Sequence, residues 1–174
     1  MNKFFKFNEF VELGNIFMNS EAYLIALEYF NLAIDFSYLP INKVKLAEAY
    51  DLRGKTKKFL GRYVESIIDF SKAIELDPIR SRVYEAFFPL LYMAMGNSKQ
   101  AMFWSNIVYE RNSHSRHDGF RAAISVHLGD LDGAKRFLDI YKKARPEIQN
   151  LDDYQKVTPA ICEDYLLQGL EKIW

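Results

Sequence analysis

Apolar residues recur along this chain at steps of three and four, the spacing that gathers them on one face of an α-helix. In "EAYLIALEYFNLAI" (residues 21–34), Tyr23, Ala26, Leu27, Phe30, Ala33 and Ile34 share such a face. "GRYVESIIDFSKAIELDP" (61–78) repeats the arrangement and stops at Asp77-Pro78, where proline lacks the next backbone donor. "AEAYDLRGKTKKFLGRY" supplies a preceding helix, ended by Gly61 because glycine accepts a left-handed backbone without steric cost. The pattern predicts helices near 5–18, 21–36, 42–59, 62–75, 80–95, 98–110, 115–127 and 130–143, and no strand of any strength.

The helices fall into pairs, and the pairs repeat. A shift of 40 residues matches Gly54 with Gly14, Tyr63 with Tyr23, Phe70 with Phe30, Ala73 with Ala33 and Ile74 with Ile34. A shift of 35 matches Gly61 with Gly96 and Ser66 with Ala101, and a further 33 matches Gly96 with Gly129, Ala101 with Ala134 and Ile107 with Ile140. Four copies with such a period imply an α-solenoid, in which one copy cannot bury its apolar face without a neighbour. Small residues at Ser66 and Ala73 let paired helices approach. Phe70 fills the gap between them, and Tyr63 packs where consecutive repeats meet. Two irregularities stand out: "INKVKL" (41–46) allows the third helix to extend backwards, and Pro89 is expected to bend the fifth.

Residues 47–80 resemble a tetratricopeptide repeat, a helix–turn–helix unit of ~34 residues. Tyr50, Gly54, Phe70, Ala73 and Pro78 stand where that family has its bulky, glycine, aromatic, small and proline positions, with Ser66 as a further small residue. Arg53 and Lys57 depart from the family's leucine and aromatic. The copy at 7–40 carries Phe10, Leu13, Gly14, Phe17, Ala26, Phe30 and Ala33, with its proline displaced to Pro40. Degenerate copies follow at 82–115, which keeps Gly96 and Ala101, and at 115–148, which keeps Gly129, Ala134 and Pro146. The resemblance implies a single all-α domain over 1–174, a right-handed α-solenoid of antiparallel helix pairs, with residues 149–174 as a C-terminal capping segment.

Composition narrows the function. The 23 basic residues balance the 23 acidic ones, whereas nucleic-acid binders carry a basic surplus. RNA binding is therefore disfavoured. Cys162 is the one cysteine, so an intrachain disulfide is excluded. The first residues lack the apolar core of a signal peptide, and the apolar run Ala86–Met95 is far short of the ~20 residues of a membrane span. A cytoplasmic protein is expected.

Little in the sequence carries chemistry. It holds no phosphate-binding glycine loop, nucleophile elbow or zinc-protease helix. His114 and His117, with Asp118 beside them, lack further ligands nearby, so no metal is expected. Cys162 reads as a helix-packing residue. Glu65, Asp69, Asp152 and Asp153 read as solvated carboxylates. No cofactor or catalysis is expected. The cluster Lys55, Lys57, Lys58 and Arg62 offsets a helix macrodipole or meets an acidic peptide. Some members of the family clamp the C-terminal carboxylates of heat-shock chaperones. At the clamp positions this chain has Val11, Asn15, Leu52, Val83 and Phe87, of which only Asn15 matches.

The resemblance puts the first helix of each repeat on the concave face. There the first two repeats place polar residues (Asn8, Glu12, Asn15, Glu48, Asp51, Lys55) and the last two place Val83, Phe87, Leu90, Gly119, Phe120 and Ala123. The expected function is a non-enzymatic adaptor binding a peptide or helix of another protein. Phe87, Leu90 and Phe120 are the expected anchors, and Asn15, Asp51 and Lys55 set specificity. The alternative is self-assembly into a homo-oligomer, suggested by Ile173 and Trp174 at the end of the chain. In "TPAICEDYLLQGLEKIW" (158–174), Cys162, Leu166, Leu170 and Ile173 form an apolar stripe that caps the last repeat or fills the groove.

Overall fold

The computed structural model describes residues 3–38, 42–111, 116–157 and 163–174. Every regular element among them is helical. Two compact bodies form, residues 1–85 and 86–174. The first holds α1 (Lys3–Asn19), α2 (Tyr23–Asp35), α3 (Lys43–Phe59), α4 (Tyr63–Leu76) and α5 (Ser81–Glu85), with short 3₁₀ turns at Phe36–Tyr38 and Pro78–Arg80. The second holds α6 (Phe88–Ala94), α7 (Ser98–Arg111), α8 (Arg116–His127), α9 (Leu131–Ala144), α10 (Leu151–Val157) and α11 (Glu163–Leu170).

In the first body α1 packs on α2, α2 on α3 and α3 on α4, as a stacked helical repeat requires. The repeated small residues are explained by their neighbours. A Cβ on Gly14 would come within 2.5 Å of the Phe30 ring, and one on Gly54 within 3.2 Å of Phe70. Both phenylalanines are fully buried, as are Ala26, Ala33, Ser66 and Ala73. Ser66 is more than small, since its hydroxyl donates to the Gly54 carbonyl at 2.7 Å. Tyr23, the counterpart of Tyr63, stacks on Phe59 of the next repeat at 4.9 Å between centroids.

Among the described residues, four helix–helix connections close with the same backbone turn. Arg62, Asn97 and Asp130 each donate their backbone N–H five residues back, to Lys57, Tyr92 and Ser125, and Ala22 does so to Phe17. The intervening residue is left-handed at Gly61 (φ 72°), Gly96 (φ 70°) and Gly129 (φ 80°). This is the helix-ending motif that favours glycine. In the first repeat the same conformation falls to Glu21 (φ 60°), a position the sequence does not mark.

The extra residues before α3 lengthen it at its start. The helix begins at Lys43, and the Asn42 side chain accepts from the Val44 N–H at 2.9 Å. Pro89 does more than bend its helix. The helix stops at Glu85 and a new one starts at Phe88, with Pro89 in the first turn of α6. A proline removes the donor that would meet the carbonyl four residues earlier, here that of Glu85. The division between the two bodies falls at this interruption.

In the second body α6 packs on α7, α7 on α8 and α8 on α9. One core cluster joins Met93, Phe120, Ala123, Ile124, Leu138, Tyr141, Ile148, Tyr154, Leu166 and Leu170. Gly119 permits the close seating of α8, because a Cβ there would lie 2.9 Å from Tyr154 and 3.2 Å from Tyr141.

Candidate functional site

The first helices of the N-terminal body present a polar face. Glu12 and Glu48 are exposed, and Asn8, Asn15 and Lys55 are half-exposed. Lys45 of α3 donates to the Asn8 side-chain carbonyl of α1 at 3.3 Å, tying the two helices together. One turn apart on α3, Lys55 pairs with Asp51 Oδ2 at 2.7 Å. Asp51 is 8% exposed, and its other oxygen, Oδ1, is buried without a hydrogen-bond partner. On α5, the Tyr84 hydroxyl is likewise buried and unpartnered. Burial pushes the Tyr84 phenol up; Arg80 opposes this, while Asp77, Asp51 and Glu48 add to it. An acceptor and a hydroxyl left unsatisfied cost about 1–3 kcal/mol each, so each has unmet bonding capacity.

The basic cluster at the end of α3 is engaged from within. Asp69 of α4, fully buried, accepts from Arg53 through both oxygens (2.7 and 2.9 Å) and pairs with Lys57 at 2.7 Å. Arg53 also donates to the Asn31 side chain of α2 at 2.9 Å. Arg53 and Lys57 thus replace two apolar positions of the repeat with a buried ionic network. Arg62 pairs with Glu65 at 2.6 Å and holds that carboxyl below its usual range. Lys58 lies 4.4 Å over the Phe59 ring, and Lys55 belongs to Asp51. Each cation of this cluster thus has a partner within the chain. Asp69 is not a solvated carboxylate.

The C-terminal body does not offer the open apolar face expected of it. Phe120 is 7% exposed and belongs to the same core cluster as Leu166 and Leu170 of α11. Leu90 packs against that cluster, and Phe87, at the turn before α6, is half-buried. The reason is α11, which lies against α8 and touches α6, both first helices. Gly169 brings it close, since a Cβ there would meet the Ala123 carbonyl oxygen at 2.9 Å. The end of the chain also folds back. Trp174 donates its indole N–H to the Gln149 carbonyl at 3.2 Å, meets Tyr154 edge-on at 5.8 Å and lies under Lys142 at 4.3 Å. Ile173 packs on the core. The two residues that suggested self-assembly therefore serve the fold of their own body.

The remaining candidates are dispersed. His114, Cys162 and the His117 side chain lie outside the described residues. Asp118 is buried at the start of α8. Burial pushes its carboxyl up, opposed by Arg121, whose guanidinium lies 3.5 Å away and is stacked between Tyr109 and Phe137. Asp153 closes a local turn, accepting from the Gln149 N–H and pairing with Lys156. Among the described residues no three His, Cys, Asp or Glu side chains converge to hold a metal, and no helix is long and apolar enough to cross a membrane.

A family model for the tetratricopeptide repeat matches residues 47–80, from α3 to the end of the second 3₁₀ turn. That repeat is in general a non-enzymatic, protein-interaction element. Among curated proteins, none matches the chain significantly.

Proposed function

The chain is a tetratricopeptide-repeat protein, and from that premise we propose that it is a non-enzymatic adaptor holding a peptide or helix of another protein along α1, α3 and α5. The observation that carries this reading is the contrast between the two bodies. First helices of the C-terminal body, α6 and α8, are covered by the chain's own α11, while α1 and α3 of the N-terminal body present exposed and half-exposed polar side chains. Asn15, Asp51 and Lys55 are the contacts proposed there. Phe120 and Leu90 take no part, because they serve the core.

The test is selection from a peptide-display library, followed by titration of the best binder against three variants. Lys55→Glu and Asn15→Ala are expected to weaken binding by at least roughly tenfold, equivalent to ~1.4 kcal/mol. Leu128→Ser, on the exposed turn after α8, is expected to leave it unchanged. Binding that survives both Lys55→Glu and Asn15→Ala would remove the site from this face.

A further inference from the structure

Two helices carry outward faces that the packing of their own bodies leaves unused. On α2 and the turn before it, Glu21, Leu24, Ile25, Glu28, Leu32 and Asp35 form one exposed stripe at steps of three and four. Leu24 is 68% exposed, an unusual position for a leucine in a helix that buries Phe30 completely. The stripe alternates acid and aliphatic, and no lysine, arginine or histidine occurs between Lys6 and Lys43. Glu21, Glu28 and Asp35 have no ion-pair partner among the described residues. A face of this kind calls for an occupant that is apolar along its centre and basic at its end.

The chain itself carries such a surface. On α7, Lys99, Phe103 and Ile107 fall at successive steps of four on one side of the helix. Phe103 is 56% exposed, and its ring is braced edge-on by Trp104 at 5.6 Å, itself seated edge-on against Phe88 at 4.5 Å. Lys99 is exposed and has no ion-pair partner among the described residues. Laid antiparallel, the shorter α7 stripe covers the α2 stripe from Asp35 to Leu24. Lys99 then falls by Asp35, Phe103 nests between Leu32 and Glu28, and Ile107 meets Leu24 and Ile25, with Glu21 left outside the contact.

We propose that α2 of one copy docks on α7 of a second copy of this chain, so that the protein self-associates through these outward helix faces. The second copy is chosen as occupant because its own α7 supplies a cation for Asp35 and, at helical spacing, apolar side chains for Leu32, Leu24 and Ile25. The contact is independent of the peptide-binding face and uses neither Ile173 nor Trp174. Charge pairing at its edge makes the association salt-sensitive.

Sedimentation velocity on the full chain, from low micromolar to millimolar concentration and at two salt concentrations, tests this. Reversible self-association that weakens with salt is expected. Leu24→Glu and Phe103→Glu should each weaken it by at least roughly tenfold, with helical content checked by circular dichroism. Leu32→Lys and Ile107→Lys form a second pair, should either of the first disturb folding. Asp35→Lys and Lys99→Asp should each be impaired alone and associate again when mixed, because the mixture re-forms opposite charges across the contact. A chain that stays monomeric throughout overturns the proposal. So does association indifferent to both Leu24→Glu and Phe103→Glu, or a mixture that fails to recover.

Discussion

Replacing Asp69 by alanine should be among the most damaging single changes in the N-terminal body. Its carboxylate is 2% exposed and stands between Arg53 and Lys57, whose side chains are 17% and 10% exposed. Removing it leaves Arg53 without a counter-charge and Lys57 with only the half-exposed Glu65, 3.8 Å away, a loss of ~3–5 kcal/mol by comparison with other broken buried pairs. Whole domains are stable by only about 5–15 kcal/mol, so this loss would be a large part of the total. The opposite manipulation separates the network's cost from its necessity. Arg53→Leu, Lys57→Tyr and Asp69→Leu together restore apolar character at all three positions. That triple variant should be at least as stable as the parent, because well-packed apolar groups often replace buried ion networks without loss. Urea titration followed by circular dichroism reads both. A loss below ~1 kcal/mol for Asp69→Ala, the range of an exposed pair, would refute the claim that the network is desolvated and structural.

Three further changes follow from the geometry. Glu21→Gly should stabilise the chain by about 0.5–1 kcal/mol, since a left-handed non-glycine residue is strained and glycine already serves the other hairpins; a fall in urea midpoint would contradict this. Phe120→Ala should cost about 3–5 kcal/mol in the same assay, whereas a surface anchor would lose little stability. Asp118 has its folded-state pKa raised by burial, so the folded state binds its proton more tightly than the unfolded state does. Stability should therefore fall as pH rises from about 4 through the raised value, and Asp118→Asn should flatten that fall in urea midpoints at pH 4 and 7.

The repeat was legible because its determinants are local. Gly54 faces Phe70 across one hairpin, and Gly14 faces Phe30 across another, so small–aromatic pairs at fixed spacing encode the packing directly. Gly61, Gly96 and Gly129 likewise announce their turns, and Pro89 announced a disturbance, though not that the helix would stop. Glu21 escaped notice because a left-handed residue that is not glycine leaves no mark in composition. Arg53 and Lys57 were seen as departures from the repeat. Their compensation lies 16 and 12 residues away at Asp69, legible only once α4 is laid against α3. Phe120 was misplaced for a related reason. The apolar stripe Leu166–Leu170–Ile173 was visible, but its seat on α8 is a tertiary contact that neither helix specifies alone. Asn15, Asp51 and Lys55 are nominated by position in the repeat alone, whereas the burial of Asp51 and its pairing with Lys55 emerge only from the coordinates.

The proposed partner-binding face is tested most directly by hydrogen–deuterium exchange of the full chain with and without a saturating library-selected peptide. Protection concentrated in α1, α3 and α5, with α6, α8 and α11 unchanged, is the expected result. Protection appearing instead in α6 and α8, with faster exchange in α11, would mean that the peptide displaces the C-terminal helix, and the assignment to the N-terminal body would be wrong.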